Sequence, residues 1–187
     1  MKTLISAALA ASALLCSAAS AATLNFLEAG DGFQRTNTIT LSNATITGFG
    51  EELFIGNFLD GNGIVCSVAL NVTCAADFEI TFDAAVNQLS FQTLNFTPDV
   101  VVEVTAFNGF TAVGSIVVSS ATLVDLSALG TITRLVFDDS SAGAGFYYGG
   151  FSFELAGDAV PLPAAAPLFA AAFGGAAFLR RRRQARA

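Results

Sequence analysis

From Leu24 to Leu155 the chain alternates apolar and polar residues in short runs, and this period of two limits the fold more than any other feature. "TNTITLS" sets Ile39 and Leu41 against threonines, and "DFEITF" sets Phe78, Ile80 and Phe82 against Asp77, Glu79 and Thr81. "VVVEVTAF" opposes Val102 and Val104 to Glu103 and Thr105, while "FSFEL" opposes Phe151, Phe153 and Leu155 to Ser152 and Glu154. Alternation in β-branched and aromatic residues is the signature of half-buried strands. Turn clusters separate the runs: "GDG" at Gly30, "LDGNG" at Leu59, "FNG" at Phe107 and "DDSSAGAG" at Asp138. Nothing in this body has a helical period. "SSATLVDLSALG", from Ser119, comes nearest and is expected to form one turn or a loop. Roughly eight to ten strands, each with one core face, suit an antiparallel two-sheet sandwich of jelly-roll kind.

With 53% hydrophobic and 12% charged residues, the chain is apolar enough to pack a core and too apolar to stay disordered. Its charge is unevenly placed. Between Lys2 and Arg180 only Arg35 and Arg134 offset fifteen acidic residues, a net of −13. Nucleic-acid binding requires phosphates to be neutralised by Lys and Arg, so this class is excluded. The chain has no His and its body has no Lys, which removes Ser-His-Asp and Cys-His chemistry, His-bound zinc and lysine Schiff bases. Carboxylates remain for glycoside cleavage, but no pair stands out, and Asp138 and Asp139 would face opposite ways on a strand. No enzyme activity is expected.

Cys66 and Cys74, in "CSVALNVTC", are an even pair expected to form a disulfide in an exported protein. No cofactor is expected. "DGNG", Asp60 to Gly63, lacks the alternating ligands of an EF-hand and reads as a tight turn. Calcium held by Glu28, Asp31, Asp60, Asp138 and Asp139, all expected in turns, stays open as an alternative. Tyr147 and Tyr148, with Phe146 and Phe151, are candidates for stacking against sugars, although only one of two adjacent tyrosines can point out of a sheet.

The two ends read differently. Residues 1–22 place Lys2 before an apolar run, Leu4 to Leu15, and then small residues, the order of a secretory signal peptide. At the other end, residues 158–187, "VPLPA" precedes a charge-free stretch from Ala164 to Leu179 and a cluster of arginines over 180–186. As a helix those sixteen residues would span about 24 Å at ~1.5 Å each, short of a bilayer core of ~30 Å. The expectation is a transmembrane helix stopped by Arg180, Arg181, Arg182 and Arg183 on the cytoplasmic side. The full fold-class reading is therefore an all-β sandwich over 23–157, flanked by a signal helix and a transmembrane helix.

Val160, Pro161, Leu162, Pro163 and Ala164, followed by the apolar stretch and the arginines, resemble the VPLPA variant of the PEP-CTERM sorting signal. That resemblance implies passage through the secretion machinery and transient inner-membrane anchoring. It also implies processing by an exosortase-type membrane protease and release to the cell surface or outside the cell, in an exopolysaccharide or biofilm matrix. A plain tail anchor would explain the helix and arginines but not the motif. The body, from "EITFDAAVNQLSFQ" to "FYYGGFSFEL", resembles galactose-binding-like jelly-roll sandwiches. Such domains often carry an Asp-Asn or Asp-Asp pair before the last strand, where this chain has Gly149 and Gly150. The expected function is a structural or adhesive, non-enzymatic matrix protein; the alternative is a carbohydrate-binding module, with or without calcium.

Overall fold

The computed structural model describes residues 21–50, 52–57, 61–69, 74, 77–95, 101–139 and 145–156. Residues 20–157 form one compact unit. Among the described residues are twelve strands: β1 Ala21–Thr23, β2 Gly32–Phe33, β3 Thr38–Thr40, β4 Ala44–Gly48, β5 Glu52–Gly56, β6 Ile64–Val68, β7 Phe78–Asn95, β8 Val102–Asn108, β9 Thr111–Val118, β10 Leu123–Asp125, β11 Ile132–Asp139 and β12 Phe146–Leu155. Two short 3-10 turns, Phe26–Ala29 and Ser127–Leu129, complete the fold.

Strand β7 organises both sheets. Its first part, Phe78–Phe82, lies between β4 and β11, and that sheet continues through β8 to β9, with β3 on the far side of β4. Its last part, Ser90 onward, lies between β12 and β10, and that sheet continues through β6 and β5 to β2. β1 pairs with the end of β12. All these pairings are antiparallel.

An eighteen-residue strand can serve two sheets only if its side chains change faces along the way. On β7, Phe78, Ile80, Phe82 and Val86 point inward, and then Leu89, Phe91 and Thr93 do. The change comes at Gln88, whose positive φ of 51° marks the extra residue of a bulge. β12 makes the matching change, from Phe146 and Tyr148 to Phe151 and Phe153, at Gly150 with φ 59°. Glycine suits that left-handed position because it has no Cβ to clash.

The layers meet in an aromatic core. Phe137 stacks on Phe78 at 4.2 Å and 5°, and it touches Phe91 at 5.6 Å and Tyr148 at 4.6 Å. Phe91 in turn stacks on Phe151 at 5.0 Å, and Phe26 meets Phe151 edge-on. Burial pushes the Tyr148 phenol well above its usual range, and the Asp139 and Asp77 carboxylates push the same way. A raised folded pKa contributes stability that is intact below the unfolded value, about 10, and is lost as pH climbs above it. The body has no Lys, and its only other tyrosine is Tyr147. Urea midpoints should therefore fall between pH 9 and 11 in the parent protein, and Tyr148→Phe should flatten most of that fall.

Several expectations are corrected. The helical parts of the fold-class reading fail: the described helices are 3-10 turns of four and three residues, and none is long and apolar enough to cross a membrane, which takes ~20 residues. The transmembrane helix, and the inner-membrane anchoring and membrane-to-surface route drawn from it, thus have no supporting element. The segments concerned, 1–20 and 157–187, including Val160 to Ala164 and Arg180 to Arg183, lie outside the described residues. Ala21 and Ala22, within the segment read as a signal peptide, are strand residues paired with Glu154 and Phe153. The strand count exceeds ten because β1, β2 and β10 are two or three residues long, too short to show alternation. "SSATLVDLSALG" holds β10 as well as a turn, since Leu123, Val124 and Asp125 pair with Gln92, Phe91 and Ser90. Gly149 and Gly150 lie inside the last strand, not before it.

Candidate functional site

On β5, β6 and β12, the residues Leu53, Ile55, Val65 and Tyr148 belong to the core. Strand alternation turns their neighbours to the outer face. The register then lines up one row across five strands. Phe33 pairs with Phe54, Phe54 with Cys66, and Tyr147 with Leu94. Tyr148 opposite Val65 and Gly149 opposite Ile64 bring Tyr147 opposite Cys66 by the same register.

The three aromatic rings of this row touch in sequence. Phe33 and Phe54 have centroids 5.1 Å apart at 60°, and Phe54 and Tyr147 are 5.9 Å apart at 63°. Phe33 is 49% exposed, while Phe54 and Tyr147 are half-buried. Two polar side chains share the face: Glu52, two residues before Phe54, and Gln92, two before Leu94 and opposite Gly149. A run of apolar rings edged by a carboxylate and an amide can cover the apolar face of a ligand and hydrogen-bond its hydroxyls.

The disulfide lies in the same row. Cys66 is bonded to Cys74 with Cα atoms 5.4 Å apart, and Cys66 is only 1% exposed although it points away from the core. The Cys74 carbonyl packs so closely against Gly145 that a Cβ there would overlap it. The cross-link thus holds Cys74 against Gly145, next to the start of β12 and two residues before Tyr147. Closing so small a loop stabilises by about 2.5 kcal/mol in the chain-entropy account. Reduction should lower the free energy of unfolding by about that amount, read as a drop in the urea midpoint at unchanged slope.

The calcium candidates are dispersed. Glu28 accepts hydrogen bonds from the Ser42 hydroxyl (2.6 Å) and N–H (2.9 Å), which hold its carboxyl below the usual range. Asp138 and Asp139 are strand residues of β11, opposite Glu103 and Val102, not turn residues as expected. Asp139 also donates its N–H to Asp77 Oδ1 at 2.8 Å. Asp31 is exposed and Asp60 lies outside the described residues. Among the described residues, no three His, Cys, Asp or Glu side chains come together as a metal site.

Of the aromatic candidates in "FYYGGF", the structure keeps only Tyr147 at the surface; Phe146, Tyr148 and Phe151 are core residues. Phe33 and Phe54 are not evident from sequence alone. Phe54 stands in "LFI", a continuous apolar run that conceals which residue faces out, and Phe33 stands in a two-residue strand. No family model matches this chain, and neither does any curated protein or solved structure.

Proposed function

We propose that the sandwich is a non-catalytic carbohydrate-binding module that holds its ligand on the Phe33–Phe54–Tyr147 row. The observation that carries this reading is three touching aromatic rings at the outer face, next to Glu52 and Gln92. Sugars present apolar C–H faces and hydroxyl edges, and rings with flanking amide and carboxylate groups match both. The absence of His from the whole chain and of Lys from the body favours binding over catalysis. An exopolysaccharide is the ligand class that fits the resemblance of the tail. In the same proposal, Val160 to Ala164 mark the protein for passage through the secretion machinery and for processing by an exosortase-type protease, a reading that rests on the motif.

A glycan array probed with oxidised protein, with and without calcium, tests the binding reading. Saturable signals that do not change on calcium removal are expected. No saturable signal on any glycan would overturn it. For the tail, intact-mass measurement on protein from its native host should show loss of Arg180 to Arg183, and a mature mass that retains them would contradict the sorting proposal.

A further inference from the structure

The tilts within the aromatic row restrict the form of ligand. A crystalline polysaccharide offers one flat face, and only coplanar rings can lie on it together. Here each ring is rotated about its neighbour, by 60° from Phe33 to Phe54 and by 63° from Phe54 to Tyr147. A flat face that met one ring squarely would meet the next nearly edge-on. A free glycan chain differs, because its sugars rotate about each glycosidic bond and can turn a new face to each ring. The centroid spacings of 5.1 and 5.9 Å are on the scale of one sugar ring, so consecutive residues of a single chain could meet consecutive aromatics.

Charge narrows the choice further. Glu52 shares the outer face with Phe54, and the chain between its basic ends carries two arginines against fifteen acidic residues. A polyuronate would be repelled over a Debye length of ~8 Å by the acidic body. Among the described residues, Phe33, Phe54, Cys66 and Tyr147 of the row include no Lys or Arg, and Arg35, two residues past Phe33, is the one cation near it in sequence. From the tilted rings and the acidic face together, we infer that the site takes a single, soluble, uncharged polysaccharide chain and neither a crystalline surface nor a polyanion. This inference rests on the carbohydrate-binding reading and specifies its ligand.

The test uses the oxidised full chain and four probes. Native gels are cast with hydroxyethylcellulose, galactomannan or alginate, and a pull-down uses microcrystalline cellulose. Expected are retardation by at least one of the two neutral soluble polymers and recovery of the protein in the supernatant above the cellulose. Phe54→Ala should reduce the retardation about tenfold in apparent affinity, the effect of one lost ring. Co-sedimentation with crystalline cellulose, or retardation by alginate alone, would overturn the inference while leaving carbohydrate binding intact. Retardation by a neutral polymer that Phe54→Ala leaves unchanged would place the ligand elsewhere and overturn it as well. Failure to bind any of the four probes, joined to a blank glycan array, would overturn the binding reading itself.

Discussion

Phe137→Ala is expected to lower the free energy of unfolding by about 3–5 kcal/mol, among the largest effects of any single substitution in this core. Phe137 is 1% exposed and contacts Phe78, Phe91 and Tyr148, which come from both β7 and β12. Truncation loses the transfer free energy of the ring and leaves a cavity that rings fixed by opposing strands cannot collapse to fill. Against a typical total of ~5–15 kcal/mol, the variant should be marginal at best, with a melting temperature lower by about 10 °C or more. Val117→Ala is the matched surface control: Val117 is 63% exposed, so a change within ~0.5 kcal/mol is expected. Equal effects at the two positions would mean that the aromatic cluster does not hold the layers together.

The second large effect concerns binding. Covering one face of a ring contributes about half of the ~1.5–3 kcal/mol gained by burying a Phe completely. Removing two rings, in Phe54→Ala with Tyr147→Ala, should weaken binding to a soluble neutral polysaccharide on the order of a hundredfold, about tenfold for each ring. The fold should survive, because both side chains lie on the outer face while Leu53, Ile55 and Tyr148 keep the inner packing. Circular dichroism and thermal melts of the double variant separate lost binding from lost structure. A folded double variant that binds as tightly as the parent would remove the aromatic row from the mechanism.

The core strands were legible in the sequence because burial on one face imposes a period of two. Phe78, Ile80 and Phe82, or Val102 and Val104, alternate with polar residues and are buried as that pattern requires. Legibility ends where another constraint takes over. At Gln88 and Gly150 a bulge shifts the phase, so no single alternation runs through β7 or β12. The shortest strands carry too few residues for a period, and their pairing is decided by partners far along the chain, as when Gly32 and Phe33 meet Ile55 and Phe54. The aromatic row was hidden for the same reason. Its residues come from β2, β5 and β12, and only the register of the sheet, which no local pattern encodes, makes them neighbours. Cys66 shows the reverse: the even cysteine pair suggested a bond to Cys74, but its place between Phe54 and Tyr147 required the sheet.

The chain has no Trp and two tyrosines, which gives the central claim a direct optical test. In Tyr148→Phe, Tyr147 is the sole strong emitter, and it sits in the proposed binding row. Titrating that variant with hydroxyethylcellulose and galactomannan while following tyrosine emission reports on the row itself. Carbohydrate binding at this face should give a saturable change in Tyr147 emission, and adding Phe54→Ala should shift the midpoint to about tenfold higher polymer concentration. Polymer binding confirmed in gels but accompanied by unchanged Tyr147 emission would contradict the account.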